Sequence, residues 1–271
     1  MKVKEVKDLT NAVQLLENPG FAIKAADLIG SPIEKLVGIL PESVQNKIGL
    51  VVQKAILGAL KLSLKTMHVT STQKSTQHYS SNWWHKVAVA TSGGVAGFFG
   101  IAATAFELPI STTIMMRSIA DVARSEGADI SNLVTQLECV QILAFGGISK
   151  ADDAAEVGYF IAREAMTKVI TDAATYISQN GLAKEGAPAI VRFIIQIAER
   201  YSITVTEKAA AQAVPVIGSI GGALINTLFI DHFQDMAKAH FSIRRLESHY
   251  GVETVKSEYI EIREKLRAAK G

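Results

Sequence analysis

Cysteine, proline and net charge are all scarce in this sequence. Its 271 residues include six prolines and a single cysteine, Cys139. One cysteine cannot form a disulfide within the chain, so we expect a reducing compartment. The formal net charge is only +2. Nucleic-acid binding needs a concentrated basic face, so no nucleic-acid partner is expected.

Alternation of apolar and polar residues with period two is also missing, and without it no half-buried strand is predicted. The first eight residues, Met-Lys-Val-Lys-Glu-Val-Lys-Asp, alternate in charge and lack the apolar region of a secretory signal. We therefore expect an all-α protein of cytoplasmic origin.

What the sequence does contain is two long runs without a charge. The first covers residues 87–106, between Lys86 and Glu107, and the second covers residues 209–230, between Lys208 and Asp231. Each is about 20 residues long, the length that an α-helix needs to cross a bilayer core. The sequence thus predicts two apolar helices with an affinity for lipid.

Both runs carry a GxxxG step, formed by Gly93 and Gly97 in the first and by Gly218 and Gly222 in the second. Such a step exposes helix backbone and lets a second helix approach closely. We expect helices 87–106 and 209–230 to pack together at the centre of a multi-helix bundle. Asn226 is expected to form a hydrogen bond across that pair.

Residues that favour a membrane-water boundary precede the first run. They are Trp83, Trp84 and Lys86, and amphipathic side chains of this kind anchor proteins at bilayer surfaces. We expect these three residues to contact a membrane.

Apolar spacing and turn residues predict the other helices. They cover residues 3–18, 21–29, 33–40, 42–67, 111–125, 133–145, 154–179, 188–201, 231–249 and 253–269. Pro109 predicts a kink or a restart before the helix at 111. The polar, Ser- and Thr-rich residues 68–82 are expected to form a loop or linker, which separates the N-terminal amphipathic helices of residues 1–67 from a helical domain of residues 83–271.

Helix 42–67 places Lys47, Lys54, Lys61 and Lys65 at its polar positions. A cationic amphipathic helix can lie on an anionic membrane. The alternative is the solvated face of a helix that packs in the protein, and general base rates favour it.

Two groups of polar residues are candidate sites. Glu107, Arg117 and Asp121 either form a polar centre that binds a ligand or headgroup, or form an interhelical salt bridge. Asp231, His232 and His240, with Asp235, invite a hydrolase interpretation or are a solvated polar face. They lack the spacing of a zinc site, so we expect no metal and no cofactor.

Two segments resemble the EcsC family of bacterial proteins. The first is Ala105-Phe106-Glu107-Leu108-Pro109-Ile110-Ser111-Thr112-Thr113 with Arg117 to Asp121. The second extends from Val214-Pro215-Val216-Ile217-Gly218 to Arg244-Arg245-Leu246. The resemblance spans roughly residues 85–255 and leaves the N-terminal 80 residues outside. It implies a helical, membrane-associated protein without a defined enzymatic activity, from a family named for an operon shared with an ABC transporter.

Three functions compete. The first is a non-catalytic protein bound peripherally to the inner face of the membrane, with lipid as partner and an ABC transporter as a further candidate. The second is a lipid hydrolase or other hydrolase that uses the region of Asp231, His232 and His240. The third is a soluble helical scaffold. The sequence does not decide whether the chain is an enzyme.

Overall fold

The computed structural model describes residues 1–17, 20–67, 99–145, 158–181, 186–214 and 218–269. Within these ranges the side chains at 45–46, 62–63, 65–67, 99–107 and 218–223 are not described. The described residues form ten α-helices and no strand, so the all-α prediction is confirmed. The helices are α1 (Val3–Glu17), α2 (Phe21–Ile29), α3 (Ile33–Ile39), α4 (Glu42–Met67), α5 (Phe99–Ser125), α6 (Leu133–Phe145), α7 (Gly158–Asn180), α8 (Pro188–Gln212), α9 (Gly218–Tyr250) and α10 (Val252–Ala268).

Local chemistry explains several helix ends. Gly127 and Gly251 follow α5 and α9 with φ angles of 85° and 83°, a left-handed region that favours glycine. Asn132 accepts a hydrogen bond from the Val134 amide at 2.8 Å and so caps the start of α6. The sequence therefore predicted these boundaries well.

Several predicted helix boundaries are wrong. Helix α5 continues through Pro109 and does not restart at Ser111. Proline removes one backbone donor from the helix, and helix α5 is packed against α4, α9 and α6, so the lost bond does not end it. The Ser111 hydroxyl donates to the Leu108 carbonyl at 3.2 Å just after the proline.

The second uncharged run is also not one helix. Residues 209–212 are the end of α8, Ala213 is a turn, and α9 begins at Gly218. Pro215 lies in this interval of the sequence, and proline disfavours a helical conformation of the residue before it. Conversely, helix α8 continues well beyond its predicted end at residue 201. Helix α9 includes both the last part of the uncharged run and the predicted helix 231–249.

Most of the buried apolar side chains form one core, to which all helices from α2 to α9 contribute. Helix α8 contacts α2, α3, α4, α5, α6, α7 and α9, which makes it the central element. A second core cluster joins α1 to the start of α7, the C-terminal half of α9, and α10. Helices on the N-terminal side of the predicted linker thus share both cores with helices on its C-terminal side.

The first uncharged run lies mostly outside the described residues. Residues 87–98 are not described, and residues 99–106 are the beginning of α5. Helices α5 and α9 do contact each other, with a hydrogen bond of 2.6 Å from the Gln234 amide to the Ser118 hydroxyl. Packing of the two GxxxG steps against each other stays a prediction.

Candidate functional site

The candidate hydrolase residues do not form one site. Asp231 is exposed on α9, next to Asp235, whose carboxylate lies 3.6 Å from the Lys24 ammonium. His232 is buried and packs against the rings of Phe21 and Phe233. His240 lies two helical turns further on and has different neighbours.

Partial desolvation by the protein around it raises the pKa of Asp231. The negative charge of Asp235 raises this pKa further, and the positive charge of Lys24 lowers it. No described group of three or more His, Cys, Asp or Glu residues has a geometry that could hold a metal ion. The described geometry therefore offers the hydrolase interpretation no assembled set of catalytic groups.

His240 instead belongs to a buried polar cluster. Its Nδ1 lies 2.9 Å from the Tyr159 hydroxyl on α7, and the Phe145 ring lies against it with centroids 5.4 Å apart. Burial lowers the pKa of His240 well below its usual range, and the positive charges of Arg163 and Arg244 lower it further. Burial likewise raises the pKa of Tyr159. These two shifts favour the uncharged forms of the His240 ring and the Tyr159 hydroxyl.

The charged part of this cluster joins three helices. On α9, Glu247 accepts from Arg163 of α7 at 2.7 Å and from Arg244, one turn earlier, at 3.3 Å. Arg244 also reaches Glu138 of α6 at 3.0 Å. The Glu247 side chain is only 2% exposed. Two arginines and two carboxylates thus neutralise each other.

Five mostly buried side chains and the partly exposed Arg244 make up what we call the buried polar cluster: Glu138, Tyr159, Arg163, His240, Arg244 and Glu247. Only His240 among them was a candidate site residue on the sequence alone. A local signal was available for some of the others, because Arg163 lies four residues after Tyr159 and Arg244 lies four residues after His240. Glu138 and Glu247 lie at a spacing of four residues from no other member. Because its opposite charges compensate each other, the cluster fixes the positions of α6, α7 and α9. Arg163 and Arg244 already form ion pairs with the carboxylates of Glu138 and Glu247.

The predicted polar centre is only partly described. Arg117 and Asp121 are exposed on α5, and Asp121 accepts from Arg124 at 2.6 Å. The Glu107 side chain lies outside the described side chains. A centre that unites the three residues therefore stays a prediction.

Asn226 is buried on α9, and its described hydrogen bond is to another residue of the second uncharged run, so a bond from Asn226 to the first run stays a prediction. Its carbonyl oxygen accepts from the Gln212 amide of α8 at 3.1 Å. Close by, the Lys208 ammonium lies 4.7 Å from the centre of the Phe229 ring. Polar side chains thus join α8 and α9 beside the turn between them.

Trp83, Trp84, Lys86, Gly93 and Gly97 lie outside the described residues. Gly218 is the first residue of α9 and Gly222 lies in its second turn. The contacts of these two glycines are not described. No helix in the described part of the chain combines the length and the hydropathy that a membrane span requires.

Helix α4 presents a basic face. The side chains of Lys47, Leu50 and Lys54 are exposed, and their spacing places them along one stripe of the helix. Lys61 lies on the same stripe and is half-buried. The Leu50 side chain is 63% exposed, which is high for a leucine within a packed helix. Helix α4 is thus packed in the protein with its lysine face exposed, and contact of that face with an anionic membrane stays a prediction.

Glu207 of α8 is the most perturbed described carboxyl group. Burial raises its pKa to about 7, and the negative charge of Glu34 on α3 adds to the effect. This places one titration near neutral pH where α3 meets α8.

The comparisons with known proteins name one family. The model of the EcsC protein family matches residues 14–246. No match was found among curated proteins or among solved structures. The matched region begins much nearer the N terminus than the resemblance described above, so α2, α3 and α4 are family features. Because the match covers most of the 271 residues, the chain belongs to the EcsC protein family.

Proposed function

We propose that this protein is a non-catalytic peripheral membrane protein. Its contact with lipid is formed by residues 83–98, which the chain carries between α4 and α5. The proposal extends to the inner face of the membrane as location. A buried lone cysteine, Cys139, is typical of a protein kept in a reducing compartment.

The observation that carries this proposal is how the two flanking helices are held. Helices α4 and α5 pack extensively against each other. Leu60 near the end of α4 is fully buried, and Leu108 in α5 is 1% exposed. Both helices are therefore fixed in the core, one before and one after residues 68–98 in the sequence.

The composition of this stretch supports lipid as the partner. Trp83 and Trp84 are the only tryptophans of the chain, and tryptophan favours the headgroup level of a bilayer. No charge follows Lys86 until Glu107. Insertion of such a segment into the interface removes apolar side chains from water, at roughly 25 cal/mol for each Å².

A membrane protein such as an ABC transporter is a further partner that we propose from the operon for which the family is named. No contact in the described residues identifies such a partner. The hydrolase alternative has no assembled site in its favour, as described above, and we do not propose it.

Co-sedimentation with lipid vesicles tests the proposal. The full chain should sediment with the vesicles, and the double variant Trp83→Ala, Trp84→Ala should partition about tenfold more weakly, because it loses two large interfacial side chains. Unchanged partitioning of the variant would show that another surface binds lipid.

The matched control removes exposed apolar side chains elsewhere. Ile161 of α7 is 52% exposed and Val252 of α10 is 45% exposed. Alanine at both positions should leave vesicle partitioning as it is in the unaltered chain. An equal loss in the control would mean that general surface hydrophobicity, and not residues 83–98, drives binding.

A further inference from the structure

We infer that the exposed face of α4 formed by Lys47, Leu50 and Lys54 gives this protein its preference for negatively charged lipid. This inference rests on the proposed membrane function and adds to it the charge of the partner. We call this surface the α4 lysine face.

The burial pattern of α4 fixes what the helix can offer to a membrane. Val52, Ile56 and Leu60 are fully buried, and Val44 and Ile48 are 3% exposed. This apolar side is occupied by contacts with α5, α8 and α6. It is therefore unavailable for insertion into lipid, and a bilayer can meet α4 only through its lysine face.

The lysine face carries charge of one sign. Between Lys47 and Met67 helix α4 contains no acidic residue, and its only carboxylate is Glu42 in the first turn. Glu42 lies five residues before Lys47, which places it well around the helix from the stripe. A negatively charged surface thus meets no repulsion along this stripe.

As far as the side chains are described, the lysines of this face have no carboxylate partner, unlike three arginines of α7 and α9. Arg163, Arg244 and Arg245 all lie within 3.0 Å of carboxylate oxygens. In the described residues of the structure, Lys47 and Lys54 have no such carboxylate neighbour. They remain available for phosphate or carboxylate groups of a lipid surface, each contributing roughly 1 kcal/mol near an anionic membrane.

The position of the face links it to the proposed contact. Helix α4 ends at Met67, directly before residues 68–98. Lys54 lies about 20 Å before that end along the helix. A basic helix face and an interfacial segment on the same chain combine electrostatic attraction with apolar insertion, and two such signals together give firmer membrane binding than one. The exposed Leu50 adds an apolar side chain between the two lysines.

Vesicle composition and charge substitution together test the inference. Vesicles of phosphatidylcholine alone are compared with vesicles that also contain phosphatidylserine, and binding is followed by co-sedimentation. We expect tighter binding to the anionic vesicles, weakening as salt is raised through about 0.5 M. The variant Lys47→Gln, Lys54→Gln should bind anionic vesicles about 30-fold more weakly, because two surface lysines no longer contribute. Glutamine has a helix propensity similar to that of lysine, so α4 should stay folded.

The control is Lys168→Gln, Lys238→Gln, which makes the same charge change at exposed positions of α7 and α9. Its binding should match that of the unaltered chain. Equal weakening in both variants, or equal binding to neutral and anionic vesicles, would overturn the inference. If the chain binds neutral and anionic vesicles equally, the proposed membrane function stands and only the inference about the α4 lysine face is wrong. Absence of binding to every vesicle would overturn both.

Discussion

At the scale of single residues, Glu247 has the most demanding environment in the described structure. Its two carboxylate oxygens accept from Arg163 and Arg244, and its side chain is almost completely buried. Removal of one partner from a buried ion pair leaves the other charge without compensation, which costs far more than the pair itself contributes. The positions of α6, α7 and α9 relative to one another depend on this carboxylate.

Substitution of Glu247 by glutamine should lower the free energy of unfolding by about 3 kcal/mol, because the mostly buried Arg163 then loses the carboxylate that it contacts directly. Chemical denaturation followed by circular dichroism measures this change. The matched control is Glu261→Gln on α10, where the carboxylate pairs with Lys265 and both side chains are exposed. An exposed pair contributes less than about 1 kcal/mol. Similar losses in the two variants would contradict this account of the buried polar cluster.

Glu207 is the second residue whose environment has a measurable consequence. Its folded-state pKa is raised to about 7 by burial and by Glu34, whereas an unfolded chain has a glutamate pKa of about 4.3. Between these values the folded protein binds the proton more tightly than the unfolded chain does. Glu207 therefore lowers stability by a constant amount above pH 7, and this penalty becomes smaller as pH falls from 7 towards the unfolded-state pKa of about 4.3.

The variant Glu207→Gln should consequently be more stable than the unaltered chain at pH 8, on the order of 1 kcal/mol after allowance for solvent screening. The gain should become smaller as pH falls below 7 and disappear by about pH 4, where Glu207 is protonated in the folded and the unfolded chain alike. Unfolding measured at both pH values tests this, with Glu199→Gln, an exposed glutamate of the same helix, as control. A gain that does not depend on pH would argue against burial as the cause.

At the scale of helices, sequence patterns predicted much of this fold. The bounds of α2 and α4 follow from turn residues that flank a regular apolar pattern, and the structure has the same bounds. The patterns failed where tertiary packing overrides them, as at Pro109 within α5. They also failed at residues 209–230, where apolar composition concealed the turn between α8 and α9.

The candidate sites were harder to predict for a physical reason. The buried polar cluster joins residues as far apart as Glu138 and Glu247, and no local spacing encodes which helices meet. His240 was found because it lies close in sequence to other Asp and His residues, but its partner Tyr159 was not. The exposed lysines of α4 were found, since a one-sided charge pattern on a helix is local.

Helix α4 allows the same substitution to be compared on its two sides. Leu60→Ala should cost about 2–5 kcal/mol of unfolding free energy, because it leaves a cavity in the core. Leu50→Ala should change stability by less than about 0.5 kcal/mol, because the side chain is mostly exposed. Denaturation of the two variants measures the difference. Comparable losses would contradict the orientation of α4 and, with it, the lysine face.

At the scale of the whole molecule, the chain is closed by contacts between its ends. Glu17 of α1 lies 2.8 Å from Arg263 of α10, and Asp8 lies 2.9 Å from Arg245 of α9. Leu9 and Val13 are buried in the same cluster as Val255 and Tyr259. The N-terminal helices are therefore integral to the bundle, in which α4 and α5 pack against each other.

The central claim is that residues 83–98 enter a lipid surface, and the tryptophans report on it directly. Because Trp83 and Trp84 are the only two tryptophans, intrinsic tryptophan fluorescence of the unaltered chain arises from this segment alone. Titration with vesicles that contain phosphatidylserine should shift the emission to shorter wavelength and protect it from an aqueous quencher such as iodide. Emission and quenching that stay the same at every lipid concentration would contradict the claim.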